Sequence, residues 1–389
     1  MHFLEPLISE WQLLVAGPQT LHTILFWIFA VALLVQLLYY WTTFVRLAAH
    51  KPKPLSLLKP KEPVSVIIAA RDEYLNLYEN LPAVLEQDYP DFEVIVVNNE
   101  STDDSATLLK NFQLQYPHLK VITLERNLNF FKGKKFPLAL GIRAAKHDIL
   151  IFTDADCKPA SPEWLNHMQT CYDPETGVVL GVGQYQRRKG LLNMLIRYET
   201  FFIAAQYLSF ALAGMPYMGV GRNLSYRKSI FLRQKGFIAH YNVSSGDDDL
   251  FVNAAAGTTG IRIQVHPDAH TYSRPPSSLK RYFIQKRRHL TTGKHYKPAH
   301  KFVLGLLGFS QLLFFAMLAV VLSLQYFLIF PLAGLTLRWI TQCIILKKSA
   351  KKLRIKYLCL LSPLIELFLM MFQLTVATVN LFSKPKKWK

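Results

Sequence analysis

The chain has 389 residues, of which 51% are hydrophobic, and a formal net charge of +19 from 45 Lys and Arg against 26 Asp and Glu. Such a charge suits nucleic-acid binding, but no basic motif interleaved with aromatic residues is present, so the predicted partners include no nucleic acid. The four cysteines form no C-x-x-C pair, which excludes a disulfide framework or a zinc site and fits a reducing, cytosolic environment.

The first long apolar segment lies near the N-terminus. Leu21 to Val45 is nearly uncharged, and it is long enough to cross the roughly 30 Å of hydrocarbon in a bilayer. It is longer than a signal-peptide core and has no basic leader, so residues 1–48 are predicted to be a retained transmembrane anchor. Residues 49–63 are rich in Pro and Lys and are predicted to be a linker.

Short apolar runs then alternate with helical patterns. Val64–Ala70, Phe92–Val97, Leu119–Leu124 and Ile149–Phe152 have the composition of buried parallel strands. Their alternation with helices predicts an α/β fold with a mostly parallel sheet and helices on both faces. This soluble domain is assigned residues 64–273.

Polar residues follow several of these strands. Glu73, Asn98, Asp154 and Asp156 all lie at predicted carboxyl ends, where open α/β sheets bind ligands. Side chains at i and i+2 of an extended chain point the same way, so Asp154 and Asp156 are predicted to hold a hard cation, Mg²⁺ or Mn²⁺. The alternative is that these acids only end a strand and cap a helix beginning near Ser161.

The C-terminal part is again apolar. Residues 303–346 are interrupted only by Arg338 and predict two spans hinged near Gln325 or Pro331. Residues 357–382 form a further apolar stretch that carries Glu366. Residues 302–389 are therefore predicted to hold about three transmembrane segments.

Basic residues cluster beside these segments, at 50–53, 347–356 and 384–389. Positively charged loops remain cytoplasmic, which predicts a multi-pass protein of the cell membrane with its catalytic domain in the cytoplasm. The tail conflicts with this arrangement, because three spans after the domain would place it outside. Either the last segment is re-entrant or the charge rule fails there.

Three strand ends carry a resemblance to a known family. Ala-Arg-Asp-Glu after the first strand, V-V-N-N-E-S-T-D-D after the second and T-D-A-D at residues 153–156 resemble the motifs of family 2 glycosyltransferases. These are inverting enzymes of the GT-A fold, a Rossmann-like fold, that use nucleotide-diphosphate sugars; ceramide glucosyltransferase and polysaccharide synthases are related to them.

Three downstream segments continue the resemblance in the family's order. Residues 218–226 resemble its glycine-rich segment. Residues 245–250 resemble the E-D-x-D-L acceptor motif, with Gly246 in place of the glutamate, and residues 285–289 resemble Q-x-x-R-W, with His289 in place of the tryptophan. Asn98 also replaces the family's base-contacting aspartate, which still suits uracil but makes guanine less easy to exclude.

The resemblance implies roles for particular residues. Asp156, and Asp154 directly or through water, would hold the cation that stabilises the diphosphate leaving group, while Lys134 and Arg288 would add fixed positive charge. The alternative for Lys134 is a solvated surface charge. The nucleotide-sugar site is predicted to contain Ala70, Glu73, Asn98, Lys134, Asp154 and Asp249; the catalytic residues are predicted to be Asp247, Asp248, Gln285 and Arg288.

The general base depends on the register of the acidic motif. Aligning its final D-L on Asp249 and Leu250 assigns the base to Asp247, whereas aligning its leading acids assigns it to Asp248. We favour Asp247 because that alignment needs no gap. Asp249 would then orient the acceptor or the helix start, and one of the three acids is expected to cap the following helix.

Two further segments concern the acceptor. Residues 190–213 are apolar and aromatic, and predict either core or an interfacial helix. Residues 274–301, which contain the Q-x-x-R-H motif, carry many Lys and Arg and no acid, which suits docking on anionic membrane lipids or a basic catalytic loop.

The predicted function is inverting sugar transfer from a nucleotide-diphosphate sugar, with a UDP-sugar favoured, to a lipid or lipid-linked glycan at the cytoplasmic face of a membrane. The alternatives are a processive polysaccharide synthase and a catalytically inactive membrane scaffold of the same fold.

Overall fold

The structure is a computed structural model that describes residues 21–52, 61–125, 133–243, 245–325, 328–356 and 358–383, together with residues 8 and 10. Most of the predicted linker, the residues just before Gly133 and the basic tail at 384–389 lie outside the described residues.

The strands form a large and a small sheet. In chain order they are β1 Val64–Ala70, β2 Phe92–Asn99, β3 Leu119–Leu124, β4 Ile149–Phe152, β5 Cys157–Pro159, β6 Thr176–Leu180, β7 Gly183–Tyr185, β8 Leu224–Arg227, β9 Gly260–Ile263 and β10 Thr271–Ser273. The seven-stranded sheet has the order β3-β2-β1-β4-β8-β6-β9, and the three-stranded sheet has the order β5-β10-β7. Within the larger sheet only β8 runs antiparallel to its neighbours, so the predicted mostly parallel α/β fold is confirmed.

The helices are named in the same way. They are α1 Leu21–Ala49 and α2 Tyr74–Leu85, α3 Ser105–Gln115, α4 Lys135–Ala144, α5 Trp164–Gln169, α6 Leu191–Leu212, α7 Lys228–Arg233, α8 Asp249–Ala255, α9 Leu279–His289, α10 Pro298–Ser323, α11 Ile329–Lys352 and α12 Ser362–Phe382. Within α1, residues Tyr39–Phe44 form a π-helical stretch.

The large sheet is a buried layer, as its sequence requires. Every residue of β1 and β4 is buried, because helices cover both faces and leave no polar side to the strands. One face packs against α2, α3 and α5. The other packs against α4 and α6, and α6 in turn contacts the first membrane helix.

Helix α6 joins the soluble domain to the membrane helices. Phe202 lies 5.8 Å from Phe44, and Phe210 lies 6.3 Å from Tyr39, measured between ring centroids. Most of its aromatic residues are buried, so the segment at 190–213 is core at the junction between sheet and membrane helices.

In the described part of the chain, four helices are long and apolar enough to cross a membrane: α1, α10, α11 and α12. The break between α10 and α11 lies at Gln325, which has a positive φ of 52°, whereas Pro331 lies inside α11. The expected basic loop at 347–356 is wrong in part, because α11 continues to Lys352. Lysine is a good helix former, and the Lys352 ammonium donates to the carbonyls of Leu47 and Ala48 at the end of α1.

Candidate active site

The ends of β1 and β2 form one side of the site. Ala70 and Asn98 are register partners at the last paired positions of these strands, and both are buried. The Asn98 carboxamide oxygen accepts a hydrogen bond from Ser101 at 2.5 Å, and Ser101 accepts one from the backbone of Asp72 at 2.9 Å. The two loops therefore hold each other, and they hold Asn98 at the edge of the sheet.

Glu73 follows β1 and faces the acids after β4. Burial raises the pKa of Glu73, and repulsion from Asp156 and Asp154 raises it further, while a hydrogen bond from Asn76 opposes the shift. Glu73 therefore lies in the same acidic site as Asp154 and Asp156.

Lys134 joins two acidic groups that are distant in sequence. Its ammonium pairs with Asp154 and lies 3.9 Å from Oδ2 of Asp247. Burial alone would lower the pKa of Lys134, but the attraction of Asp154 and Asp247 outweighs burial and raises it. The Lys134 side chain is only 16% exposed, so it is an internal cation of the site and not a solvated surface charge.

Asp154 and Asp156 form a cluster with Cys157 whose candidate ligand atoms all lie within 4.8 Å of one another. Burial raises the pKa of Asp156, and Asp154 raises it further, while Arg222 and Lys134 lower it. Two carboxylates with this mutual repulsion fit a hard divalent cation, which prefers oxygen to the Cys157 thiol. Neither acid caps α5, where the Ser161 hydroxyl accepts from the backbone of Glu163 instead.

Asp248 is the capping member of the acidic triplet. One of its carboxylate oxygens accepts from the backbone N–H of Asp249 and the other from that of Gly221, both at 2.7 Å. Burial and repulsion from Asp247 and Asp249 raise the pKa of Asp248 to about 8. Both of its oxygens are thus engaged in holding α8 against the glycine-rich segment.

Asp249 is directed toward the connection between α9 and α10. Its carboxylate accepts from the hydroxyl of Tyr296 at 2.8 Å and from the backbone of Leu250 at 2.8 Å. Burial raises the pKa of Asp249, although these hydrogen bonds act in the opposite direction. Asp249 therefore fixes the start of α8 and the segment that leads to α10.

Helix α9 brings the Q-x-x-R-H motif to the site. The Gln285 carboxamide donates to the hydroxyl of Tyr185 at 3.0 Å, and the guanidinium of Arg222 lies 4.4 Å from the centroid of the Tyr185 ring. Arg288, on the same helix, is half-buried. Gln285 therefore reaches the Asp154 and Asp156 cluster through Tyr185 and Arg222.

Arg222 is a site residue that sequence reasoning missed. It is oriented by a hydrogen bond to Ser273 at 3.0 Å, and its positive charge lowers the pKa of Asp156 against the effect of burial. The sequence does contain a signal for this residue, because Arg222 lies within the glycine-rich segment at 218–226 that resembles a motif of the family.

Two family models match this chain. The model described as glycosyl transferase family 2 matches residues 65–233, and that described as glycosyl transferase family group 2 matches residues 152–378, more than half of the chain. The chain belongs to the family 2 glycosyltransferases.

Relatives of this glycosyltransferase are distant. It is 26% identical over 260 residues to the probable glycosyltransferase YdaM of Bacillus subtilis, covering 64% of this chain and 59% of the relative. It is 29% identical over 192 residues to glycosyltransferase AglE of Haloferax volcanii, covering 47% and 58%. It is 24% identical over 255 residues to poly-beta-1,6-N-acetyl-D-glucosamine synthase of Staphylococcus aureus, covering 64% and 59%. The chain thus matches under two thirds of the length of each.

The fold is shared with a solved structure. Mannosyltransferase PcManGT from Pyrobaculum calidifontis, solved in complex with GDP-Man and Mn²⁺, aligns with a TM-score of 0.56 and 21% identity, covering 86% of this chain and 99% of that one. At this identity the likeness establishes the GT-A fold of the glycosyltransferase domain.

One departure from the family motif has a backbone cause. Gly246, at the position of the motif's glutamate, has a φ of +93°, and a Cβ there would lie 2.5 Å from a methyl group of Leu250. A side chain at this position is both strained and obstructed. The turn before α8 in this glycosyltransferase therefore requires glycine.

Proposed function

We propose that this chain transfers a sugar, with inversion, from a nucleotide-diphosphate sugar to a lipid or lipid-linked glycan at the cytoplasmic face of the cell membrane. The observation that carries the proposal is Lys134, which stands between Asp154 on the donor side and Asp247 on the acceptor side. The relatives that this chain is similar to are named as glycosyltransferases, which supports the proposal.

The donor side would hold the diphosphate. Asp154 and Asp156 fit Mg²⁺ or Mn²⁺, which when bound neutralises the negative charge that develops on the leaving diphosphate. Lys134 and Arg222 supply fixed positive charge beside the same carboxylates. Asn98 and Ala70, at the ends of the neighbouring strands, are suited to contact the nucleoside, with a UDP-sugar favoured.

The acceptor side would supply the general base. Inversion requires the acceptor hydroxyl to attack opposite the leaving group, where a carboxylate takes its proton. Asp247 fits this role better than Asp248, because both oxygens of Asp248 already accept backbone hydrogen bonds. Asp249 is engaged by Tyr296 and fits a positioning role.

A lipid acceptor is favoured by what surrounds the site. Helices α1, α10, α11 and α12 have the length and composition of membrane spans, and α9, which has no acidic residue, begins with the exposed side chains of Lys280 and Arg281. A basic helix beside membrane segments is suited to anionic lipid headgroups. The clusters of Lys and Arg flanking the spans favour a cytoplasmic domain.

The test is donor selection by the purified protein in detergent. A panel of UDP-, GDP- and dTDP-sugars, with and without Mn²⁺, is screened for slow hydrolysis and for a rise in melting temperature. One nucleotide sugar should be hydrolysed and should stabilise the protein only with the cation. If no member of the panel does either, while the protein remains folded, the proposed activity is wrong.

A processive polysaccharide synthase is the second candidate, and the resemblance to poly-beta-1,6-N-acetyl-D-glucosamine synthase favours it. Product length separates the two. A single added sugar on an extracted lipid supports one transfer, whereas a ladder of products supports processive synthesis.

A further inference from the structure

Three membrane helices have one end fixed at the catalytic domain. At the end of α11, the Leu353 carbonyl accepts from the Gln184 carboxamide of the catalytic domain at 3.2 Å, and the Lys352 ammonium donates to the Leu47 carbonyl near the end of α1 at 2.9 Å. Just before α10, the backbone N–H of Lys297 donates to Asn253 of the catalytic domain at 2.9 Å. Distance from the domain can therefore be counted along each helix from these ends.

The same three helices share a polar layer farther into the membrane region. Gln36 of α1 donates to Ser310 of α10 at 2.7 Å, and Arg338 of α11 donates to Gln36 at 3.2 Å. Each of these residues lies 12 to 14 positions from the domain end of its helix, which at 1.5 Å per residue is about 20 Å. The layer is thus about 20 Å from the domain side.

The beginning of α12 belongs to this layer. Glu366 pairs with Arg338 and accepts from Gln342 at 3.1 Å and from Gln311 at 2.7 Å. The preceding chain starts near the domain, where Arg354 lies 4.0 Å from Asp268. Because Trp339 donates to the Cys359 carbonyl at 2.9 Å, the chain has moved back into the membrane region before α12 begins.

From Glu366 onward, α12 returns toward the catalytic domain. Phe372 stacks on Tyr282 of α9, with centroids 5.5 Å apart and rings 14° from parallel. Near its end, Asn380 accepts from Arg287 of α9 at 2.8 Å and donates to the Arg287 carbonyl at 2.9 Å. A helix that continued across the membrane from Glu366 would place Asn380 about 40 Å from the domain, which these contacts exclude.

The outer surface of α12 remains apolar over its whole length. Large hydrophobic side chains are exposed from its beginning to its end: Leu364, Leu367, Phe368, Met371, Leu374, Leu381 and Phe382. Lipid is the environment that suits this surface. The apolar composition of α12 therefore fits a helix that crosses the membrane, and it fits equally a helix that lies in the membrane and ends on the side where the chain entered.

We propose that α12 is a re-entrant helix that ends on the catalytic side of the membrane. We further propose that Asn380 and Arg287 are positioning residues that hold α9, and with it Gln285 and Arg288, against the active site; this second part rests on the proposed function. A re-entrant α12 also removes the conflict with the charge rule, because the Lys-rich residues 384–389 then follow on the same side as the catalytic domain.

The direction of α12 is tested by the side from which cysteines react. Lys389→Cys is compared with Lys61→Cys, three residues before the first strand of the catalytic domain, and with Ser323→Cys at the far end of α10, all in a Cys343→Ala, Cys359→Ala background. A membrane-impermeant maleimide is applied to sealed vesicles of known orientation. Lys389→Cys should react from the same side as Lys61→Cys; reaction from the side of Ser323→Cys overturns the proposal. This readout needs no activity, so it stands even if the proposed reaction fails.

The positioning role is tested by substitutions at Asn380. Asn380→Leu removes both hydrogen bonds, and a misplaced α9 should lower kcat by about 10–100-fold with donor affinity unchanged. Asn380→Asp keeps an acceptor for the Arg287 guanidinium and should recover most of the rate. Leu381→Ala is the matched control, since Leu381 is 83% exposed on the same turn. Equal kcat values for Asn380→Leu and Leu381→Ala would overturn the assignment. Asn380→Ala, which removes the same two hydrogen bonds with a smaller side chain, provides the same comparison if Asn380→Leu does not fold.

Discussion

The charged clusters of the active site and of the membrane region are built differently. At the active site, one lysine serves several carboxylates, and the side chains of Lys134, Asp154 and Asp247 are 16%, 30% and 16% exposed. In the membrane region, Arg338 and Glu366 form a matched pair whose side chains are only 1% and 6% exposed. The first cluster has an excess of negative charge and an opening; the second is balanced and closed.

The difference indicates what each cluster is for. Carboxylates in excess at an accessible site can bind a cation, which would hold a diphosphate, and can accept a proton. The Arg338–Glu366 pair is instead neutral and buried, and Gln36, Gln311 and Gln342 are hydrogen bonded to it. We therefore expect the active-site cluster to control catalysis with little effect on stability, and the membrane cluster to do the reverse.

The largest effect is expected at the base. Asp247→Asn should lower kcat by about 10²–10⁴-fold, the usual contribution of a general base, with the donor Kd nearly unchanged because this carboxylate faces the acceptor. Turnover and donor binding are measured separately. Asp248→Asn is the comparison: an active Asp247→Asn beside an inactive Asp248→Asn would show that the register is wrong by one residue.

Breaking the membrane pair should affect stability instead. Glu366→Leu leaves Arg338 buried without its counterion, which costs about 3–5 kcal/mol, and should lower the melting temperature in detergent. The double variant Arg338→Met, Glu366→Leu should recover most of the loss, because it leaves no charge unpaired. If Glu366→Leu has the same melting temperature as the parent, the pair does not stabilise the fold and this prediction is wrong.

A smaller effect is expected at the cation site. Asp156→Ala should abolish the dependence of donor binding on Mn²⁺ or Mg²⁺, with at least the 10–100-fold loss of metal affinity typical of outer-shell changes, or about 1.4–2.8 kcal/mol. Titration of the donor with and without the cation measures this. Metal-dependent binding that persists undiminished in Asp156→Ala counts against Asp156 as a ligand.

The smallest effect is the pH dependence of stability. The pKa of Asp248 is about 8 in the folded protein against 3.8 ordinarily, so the folded state binds this proton more tightly. The resulting stability is complete below pH 3.8, declines as the pH rises and is lost above pH 8; between pH 7 and 9 the loss is about 1.4 kcal/mol. Melting curves should show this decline in the parent and a flatter one in Asp248→Asn.

The sheet and half of the site could be predicted because local sequence determines them. Buried strands are apolar runs, and the residues that follow them, Glu73, Asn98 and Asp154, meet at one edge wherever the strands are parallel. The acidic triplet was equally visible, although which member caps α8 depends on the backbone of Gly221, a residue 27 positions from Asp248.

What could not be predicted depends on contacts between distant segments. The role of Arg222 arises from Tyr185 in the small sheet, a pairing that no local pattern records. Hydropathy likewise predicts an apolar helix at α12. Its proposed direction, however, depends on the contacts of Glu366 with α11 and of Asn380 with α9.

Gly246 has an evolutionary consequence. Because its left-handed backbone leaves no room for a side chain beside Leu250, a single mutation to glutamate cannot restore the family's acidic residue at this position. A substitution there would have to be accompanied by a change in the turn, so Gly246 should tolerate less variation than the other positions of the motif.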